Sequence, residues 1–104
     1  MTSLHSPKYL RDLVCSSEET QRVLMKKSGG SISVCCHRAE EHVAAHTAPH
    51  AVFLQMLDGQ IEIKIAEHEL SLKAGQVVSI PANVVREYCC LTDTQFLVVM
   101  LKDN

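Results

Sequence analysis

The chain lacks the features that would assign it to the most common functional classes. It has no excess of basic residues, because 10 lysines and arginines stand against 12 acidic residues and the formal net charge is −2 at pH 7. Without a basic stripe for phosphate groups, nucleic acid is not an expected partner. No apolar run approaches the roughly 20 residues that cross a bilayer, so we also expect no membrane segment.

Neither a secretory leader nor a disulfide framework is visible. The opening MTSLHSPKYLRD lacks the apolar core of a signal peptide. The 5 cysteines are an odd number, and the pairs Cys35-Cys36 and Cys89-Cys90 have neither disulfide nor zinc spacing. We therefore predict a cytoplasmic protein with reduced, mostly buried cysteines. The alternative is that one inward-facing thiol of each pair lines a pocket or senses redox state, since strand neighbours point to opposite faces.

Signatures of catalysis are also missing. There is no Gly-x-Gly-x-x-Gly, no Gly-x-x-x-x-Gly-Lys and no recognisable acid/base pair or nucleophile triad. The sequence therefore defines no reaction, and the catalytic residues stay unknown. A length of 104 residues, with 46% apolar and 21% charged residues, is typical of one globular domain over 1–104.

The middle of the chain is rich in strand signals. From residue 60 to 66, isoleucines occupy every second position, which gives one apolar strand face. Asp58-Gly59 separates this segment from the apolar run at 52–57 and predicts a hairpin turn, because glycine accepts positive φ. Two further short strands follow between 70 and 80, and Pro81 ends the second. Four short strands separated by turns predict an all-β barrel or sandwich.

The order and spacing of these segments resembles the small single-domain cupins. The residues that carry the resemblance are His46-Thr47-Ala48-Pro49, Leu57-Asp58-Gly59, Leu72-Lys73-Ala74-Gly75 and Pro81-Ala82-Asn83. The resemblance covers about residues 30–101 and implies an all-β fold, the double-stranded β-helix or jelly-roll barrel. It also implies further N-terminal strands within 7–27 and a homodimer.

Local signals and the resemblance disagree at residues 19–27. Ser16-Ser17-Glu18-Glu19 looks like a capping box and Lys26-Lys27-Ser28-Gly29-Gly30 looks like a helix end, which together would give a helix. The resemblance implies strands instead, with Gly29-Gly30 as a hairpin turn. We adopt the strand prediction, since tertiary context overrides weak propensity.

The metal site of the cupins can be compared residue by residue. Metal-binding cupins use two histidines and a glutamate from the first motif and a histidine from the second. His46 matches the first histidine, whereas Ala48, Val52 and Arg86 stand at or near the other three positions. A zinc site needs at least three protein ligands, and the permanent charge of Arg86 repels a cation. We therefore expect no metal and no other cofactor.

Two histidine arrangements remain as metal-binding alternatives. A divalent ion, if one binds, would lie at His46, where His50 and a cysteine could complete an unusual shell. His42, His46 and His50 would also share one face of a helix and could bind zinc there, although Pro49 interrupts such a helix.

Arg86 is the residue on which the functional prediction depends. A buried guanidinium needs an anion or solvent, and strand alternation puts Arg86, Tyr88 and Cys90 on one face. If that face is inward, these three residues form with His46 and His50 a pocket for a small ligand such as a carboxylate or another anion. The alternative is a rim ion pair between Arg86 and an acid such as Glu40 or Glu41.

The last apolar run bears on assembly. Residues 96–101 are apolar on both faces, which predicts a strand covered twice, either by the N-terminal strands or by a homodimer partner.

Three functional classes remain open. Our prediction is a metal-free binding or sensor module with a small-molecule pocket in the barrel. The alternatives are a metal-dependent cupin enzyme, such as an isomerase, dioxygenase or decarboxylase, and a structural dimer without a ligand.

Overall fold

The computed structural model describes residues 20–102, in which the regular elements are all β-strands. The nine strands of this range are β1 (Gln21–Lys27), β2 (Gly30–His37), β3 (His42–His46), β4 (Ala51–Asp58), β5 (Gln60–Ile65), β6 (His68–Lys73), β7 (Val77–Ile80), β8 (Arg86–Cys90) and β9 (Thr94–Leu101). They form a five-stranded sheet in the order β1-β2-β9-β4-β7 and a four-stranded sheet in the order β3-β8-β5-β6, with antiparallel pairing throughout. The predicted all-β fold class is confirmed.

The described residues contain no helix that is long and apolar enough to cross a membrane. The part of the predicted N-terminal strands that falls on residues 7–19 lies outside the described residues. The strand prediction for 19–27 is confirmed from residue 21 onward, because β1 pairs with β2 in a hairpin that turns at Ser28 and Gly29. The backbone pairing of β1 with β2 stabilises the strand more than the local capping residues would stabilise a helix there.

The core lies between the two sheets and is built by strand alternation. On β5 the isoleucines are buried while Glu62 and Lys64 are exposed, as the period of two predicts. The inward rows of both sheets meet in one cluster of buried residues: Leu54, Met56, Ile61, Ile63, Ile65, Leu72, Ile80, Cys90 and Phe96. This cluster fixes which side chains of each strand face the interior.

The Asp58-Gly59 pair does not form the predicted hairpin. The strands on either side of it, β4 and β5, lie in different sheets, so the pair turns a corner of the barrel. Gly59 has φ 83°, and a Cβ there would clash with the backbone carbonyl of Asp93. The same left-handed glycine that suits a hairpin therefore suits a crowded corner, and the local sequence does not separate the two.

The last strand, β9, lies in the centre of the five-stranded sheet. Phe96 on its inner face is 2% exposed, whereas Leu101 at its end is 57% exposed. The strand β1 pairs with the far edge of β2 instead of covering β9, so the predicted cover by N-terminal strands is wrong for β1. A rung of outward-facing apolar residues crosses the sheet through Met25, Ile32, Val99 and Phe53.

Candidate functional site

Strand β8 points three of the five predicted pocket residues into the barrel. Arg86, Tyr88 and Cys90 pair with Ile65, Ile63 and Ile61 of β5, and cross-strand partners share a face of the sheet. Since those isoleucines belong to the core, the three β8 side chains also face inward. Arg86 is only 5% exposed and Cys90 is 0% exposed.

Arg86 binds backbone carbonyl groups instead of an acid. Its Nε donates to the carbonyl oxygen of Val84 at 3.0 Å, and its Nη2 donates to that of Pro81 at 3.3 Å. Among residues 20–102, no carboxylate lies within 4.0 Å of this guanidinium. The alternative of a rim ion pair with Glu40 or Glu41 is therefore wrong.

The third guanidinium nitrogen, Nη1, is left for another partner. It has no hydrogen bond to the described residues. Burial lowers the pKa of Arg86, but arginine stays charged at any physiological pH. The interior face of β8 thus begins with a cation that has open donors.

The two histidines of the predicted pocket are less enclosed. His46 pairs with Arg86 across β3 and β8 but is exposed, and its Nδ1–H donates to the carbonyl oxygen of Ala44 at 2.9 Å. His50 is half-buried and directly precedes β4. The structure therefore places His46 opposite Arg86 at the rim. Because His42 to His46 is a strand, the alternative with three histidines on one helical face is wrong.

The residues at the cupin metal positions do not fit a metal ion. Ala48 and Val52 carry no side-chain ligand atom, and Arg86 puts a permanent cation at the fourth position. Within residues 20–102 no three histidine, cysteine, aspartate or glutamate side chains come together as a metal shell. His46 is the one matching donor in that set of four.

A chain of hydrogen bonds through Tyr88, His37 and Glu41, called the relay below, lies further along the interior. The sequence patterns did not predict it. The Tyr88 hydroxyl is 2.9 Å from Nε2 of His37, and Nδ1 of His37 is 2.8 Å from Oε2 of Glu41. The side chain of His37 is 10% exposed and that of Glu41 is 41% exposed. The three groups form a continuous chain of hydrogen bonds from the surface to the interior face of β8.

Aromatic packing and burial hold this relay in place. The rings of His37 and Phe96 stack at 5.8 Å, and Tyr88 meets both edge-on, at 5.5 Å from His37 and 5.7 Å from Phe96. Burial, with the nearby thiols of Cys35 and Cys90 and the carboxylate of Glu41, raises the pKa of Tyr88. The hydrogen bond from His37 lowers the pKa of Glu41.

The thiols next to the relay are protonated at neutral pH. Burial, with a smaller effect of Cys36, raises the pKa of Cys35 to about 12, and burial also raises the pKa of Cys90. By register, Cys35 pairs with Phe96 and faces inward, whereas Cys36 and Cys89 face outward. Each vicinal pair thus sends one thiol to the interior, and that thiol is a weak nucleophile.

A separate concavity lies on the outer face of the four-stranded sheet. This groove has a volume of about 450 Å³ and is lined by His42, Glu62, Ile63, Lys64, Glu69, Leu70, Ser71, Glu87, Tyr88 and Cys89. Of the predicted pocket residues, only Tyr88 belongs to this lining. His42 lies 3.5 Å from Glu87 there, and both are well exposed. The groove is a solvated face of mixed charge, distinct from the interior position of Arg86.

Solved structures share this architecture over nearly the whole chain, although no protein-family model and no curated protein matches the sequence. A cupin superfamily protein from Desulfitobacterium hafniense has a TM-score of 0.86 at 18% identity, covering 97% of this chain and 94% of that one. An RmlC-like cupin from Shewanella frigidimarina has a TM-score of 0.78 at 11% identity, covering 100% and 96%.

A conserved protein of unknown function from Streptococcus pyogenes is similar to the same extent. Its TM-score is 0.78 at 19% identity, and the match covers 100% of this chain and 97% of that chain. Identities this low establish a common fold and leave the ligand and chemistry of each protein to its own residues.

Proposed function

This chain has the cupin fold, and we propose that it is a binding module that holds a small anion at Arg86 inside the barrel without a metal ion. A carboxylate is the expected ligand group, because the planar guanidinium matches its two oxygens. The observation that carries the proposal is a buried arginine without an acidic partner among residues 20–102.

The energetics favour a bound anion. A buried charge without a counter-ion is strongly unfavourable, and carbonyl dipoles offset only part of the lost hydration. The carbonyls of Pro81 and Val84 fix Nε and Nη2 and leave Nη1 with open donors. A carboxylate that approaches Nη1 gains a charge-assisted hydrogen bond in a site that is already ordered, so little conformational entropy is lost.

The test is a calorimetric titration with acetate and succinate. We expect binding to the native protein and a loss of about 10- to 100-fold in Arg86→Met, since a hydrogen bond to a charged group contributes about 1.5–3 kcal/mol. Arg86→Lys should bind with intermediate affinity, because it keeps the charge but loses the planar fork. The control is Arg22→Met on the exposed strand β1. Equal affinity in the Arg86 and Arg22 variants, or no binding at all, would refute the proposal.

The metal-free state is part of this proposal and has its own test. Elemental analysis of protein purified without a histidine tag should find no stoichiometric transition metal. One equivalent of metal that His46→Ala removes would instead favour the alternative, a cupin enzyme with a shell of His46, His50 and a cysteine. The donor set of the described residues gives that alternative no support.

We also propose that two copies associate through the outer face of the five-stranded sheet. The exposed apolar side chains on this face are Met25, Phe53, Val77 and Leu101. A two-fold axis would set this patch against itself, as in most homodimers. Sedimentation should give a dimer at micromolar concentration and a monomer for Phe53→Lys. A native monomer would refute this interface.

Cytoplasmic localisation stays a proposal, and it agrees with four free cysteines in the described range.

A further inference from the structure

The hydrogen-bond directions in the relay follow from the chemistry of its members. Because the pKa of Tyr88 is raised by burial, its phenol stays protonated and its O–H donates to Nε2 of a neutral His37. Nδ1 of the same ring then carries the proton that is donated to the Glu41 carboxylate. One tautomer of His37 satisfies both contacts.

A second proton on His37 reverses one of these bonds. Nε2 then carries a hydrogen and donates to the Tyr88 oxygen, so the hydroxyl hydrogen of Tyr88 must turn to another acceptor. The bond from Nδ1 to Glu41 is kept and becomes a charged pair. Protonation of His37 therefore frees a donor on the interior face of β8 without breaking the relay.

The freed donor lies on the same face as Arg86. The two residues are separated by two positions on β8, which places their Cα atoms about 6.6 Å apart, and both pair with core isoleucines of β5. A single acceptor group bound to Arg86 would leave Tyr88 unused. A small molecule with two acceptor groups could bind to both side chains at once.

We infer that the barrel takes up a small dianion, such as a dicarboxylate, together with one proton. Arg86 holds one acceptor group, and the Tyr88 hydroxyl, turned inward when His37 is protonated, holds the other. This inference rests on the proposed function, because it needs an anion at Arg86. It adds a ligand class and a link to pH that anion binding by itself does not require.

The other ionisable groups that face His37 keep one charge state between pH 5 and 8. The interior thiols Cys35 on β2 and Cys90 on β8 have raised pKa values and stay neutral. Glu41 in the β2–β3 turn has a lowered pKa and stays an anion. On β9 the neighbours are Phe96, which cannot ionise, and Thr94, which is the register partner of His37. Histidine is the side chain that titrates in this range.

The experiment compares ethane-1,2-disulfonate with ethanesulfonate at pH 5.5 and pH 8, since neither probe titrates in this range. For the native protein we expect the dianion to bind about three- to tenfold more tightly at pH 5.5, the contribution of one hydrogen bond. Tyr88→Phe should lose that gain, and His37→Gln should remove the dependence on pH. The monoanion should show little dependence on pH in any variant.

The matched control is His42→Gln. His42 also lies beside a glutamate, but it is exposed on the outer face of the four-stranded sheet. This variant should keep the native pH dependence. The inference is overturned if Tyr88→Phe binds the dianion as the native protein does at both pH values, or if His42→Gln and His37→Gln change the pH profile equally.

A ligand-free measurement separates the failure of the inference from the failure of the proposed function. Nitrogen NMR of His37 should show a proton on Nδ1 at pH 8, and Glu41→Gln should weaken that tautomer preference. If neither probe binds to the native protein at either pH, the anion site and the proton coupling both fail. If both probes bind through Arg86 with no effect of His37, the anion site stands and only the coupling is overturned.

Discussion

The inner face of β8 has two parts, the Arg86 end and the half that carries Tyr88 and Cys90 (the relay end), and they differ in how polar groups are satisfied. At the relay end, the turn after β2 brings His37 and Glu41 into a continuous chain of hydrogen bonds with Tyr88. At the Arg86 end, the only partners among the described residues are two carbonyl groups of the preceding loop. On the same face of one strand, the polar groups of the relay find partners within the protein, whereas the Arg86 cation has no acidic partner among the described residues. The difference indicates that the relay end is tied into the packed core, whereas the Arg86 end keeps a donor group that the described residues do not use.

The largest expected effect tests the packed end through Phe96. Phe96→Ala should lower the free energy of unfolding by about 3–5 kcal/mol, because a buried aromatic leaves a cavity. Its ring stacks on His37 and is 2% exposed. Urea unfolding measures the loss. The control is Leu91→Ala, directly after β8 and outside the proposed dimer surface, where the residue is 42% exposed and the loss should be about 1 kcal/mol or less. Equal losses would mean that the relay end is not the packed end.

The second prediction removes a single oxygen atom from the relay. Tyr88→Phe should cost about 1–3 kcal/mol, because Nε2 of the nearly buried His37 loses its donor while Nδ1 is still needed by Glu41. The ring volume is kept, so packing against Phe96 should not change. Urea unfolding at pH 7 gives the cost, and His37→Gln together with Tyr88→Phe should cost less than the sum of the single changes. Full additivity would refute the idea of a connected relay.

The all-β class could be predicted from strand alternation and short turns, because both are local, whereas the cupin barrel follows only from the family resemblance. Isoleucines at 61, 63 and 65 mark one buried face wherever the strand lies. Which sheet a strand joins is not a local property, and Asp58-Gly59 fits a hairpin as well as a corner between sheets, because both use the same glycine geometry. The strand at 21–27 was recovered through the resemblance, since its own residues favour a helix end.

Strand alternation in the sequence predicts only part of the candidate site. Alternation along β8 correctly put Arg86, Tyr88 and Cys90 on one face. The sequence could not show that His37 meets Tyr88, because 51 residues separate them and the contact depends on how β2 faces β8. His37 and Glu41 are spaced by four residues, which is a helical signal in a segment that turns between strands. Without those contacts, Glu41 looked like a partner for Arg86.

The third prediction addresses the open end directly. Arg86→Met should raise the stability of the ligand-free protein by about 1 kcal/mol, because an apolar side chain of similar length replaces a buried charge that lacks a counter-ion. The native protein should gain stability when succinate is added, whereas the variant should not. Thermal melts with and without succinate measure both effects. A clear loss of stability in the ligand-free variant would show that the carbonyls of Pro81 and Val84 already compensate for the charge.

The smallest expected effect lies at the surface end of the relay. The pKa of Glu41 is lowered in the folded state by its hydrogen bond with His37, so its contribution to stability is fully present above the pKa of the unfolded glutamate, about 4.3. That contribution is lost as the pH falls through the lower folded value. The stability difference between the native protein and Glu41→Gln should therefore not shrink between pH 7 and about pH 5, because a second proton on His37 would strengthen the pair, and it should narrow in stronger acid. Glu62→Gln, on the exposed face of β5, removes a carboxylate that is outside the relay. If the stability of both variants depends on pH in the same way, the charge of Glu41 does not stabilise the relay. Aromatic packing alone would then hold Tyr88 in place.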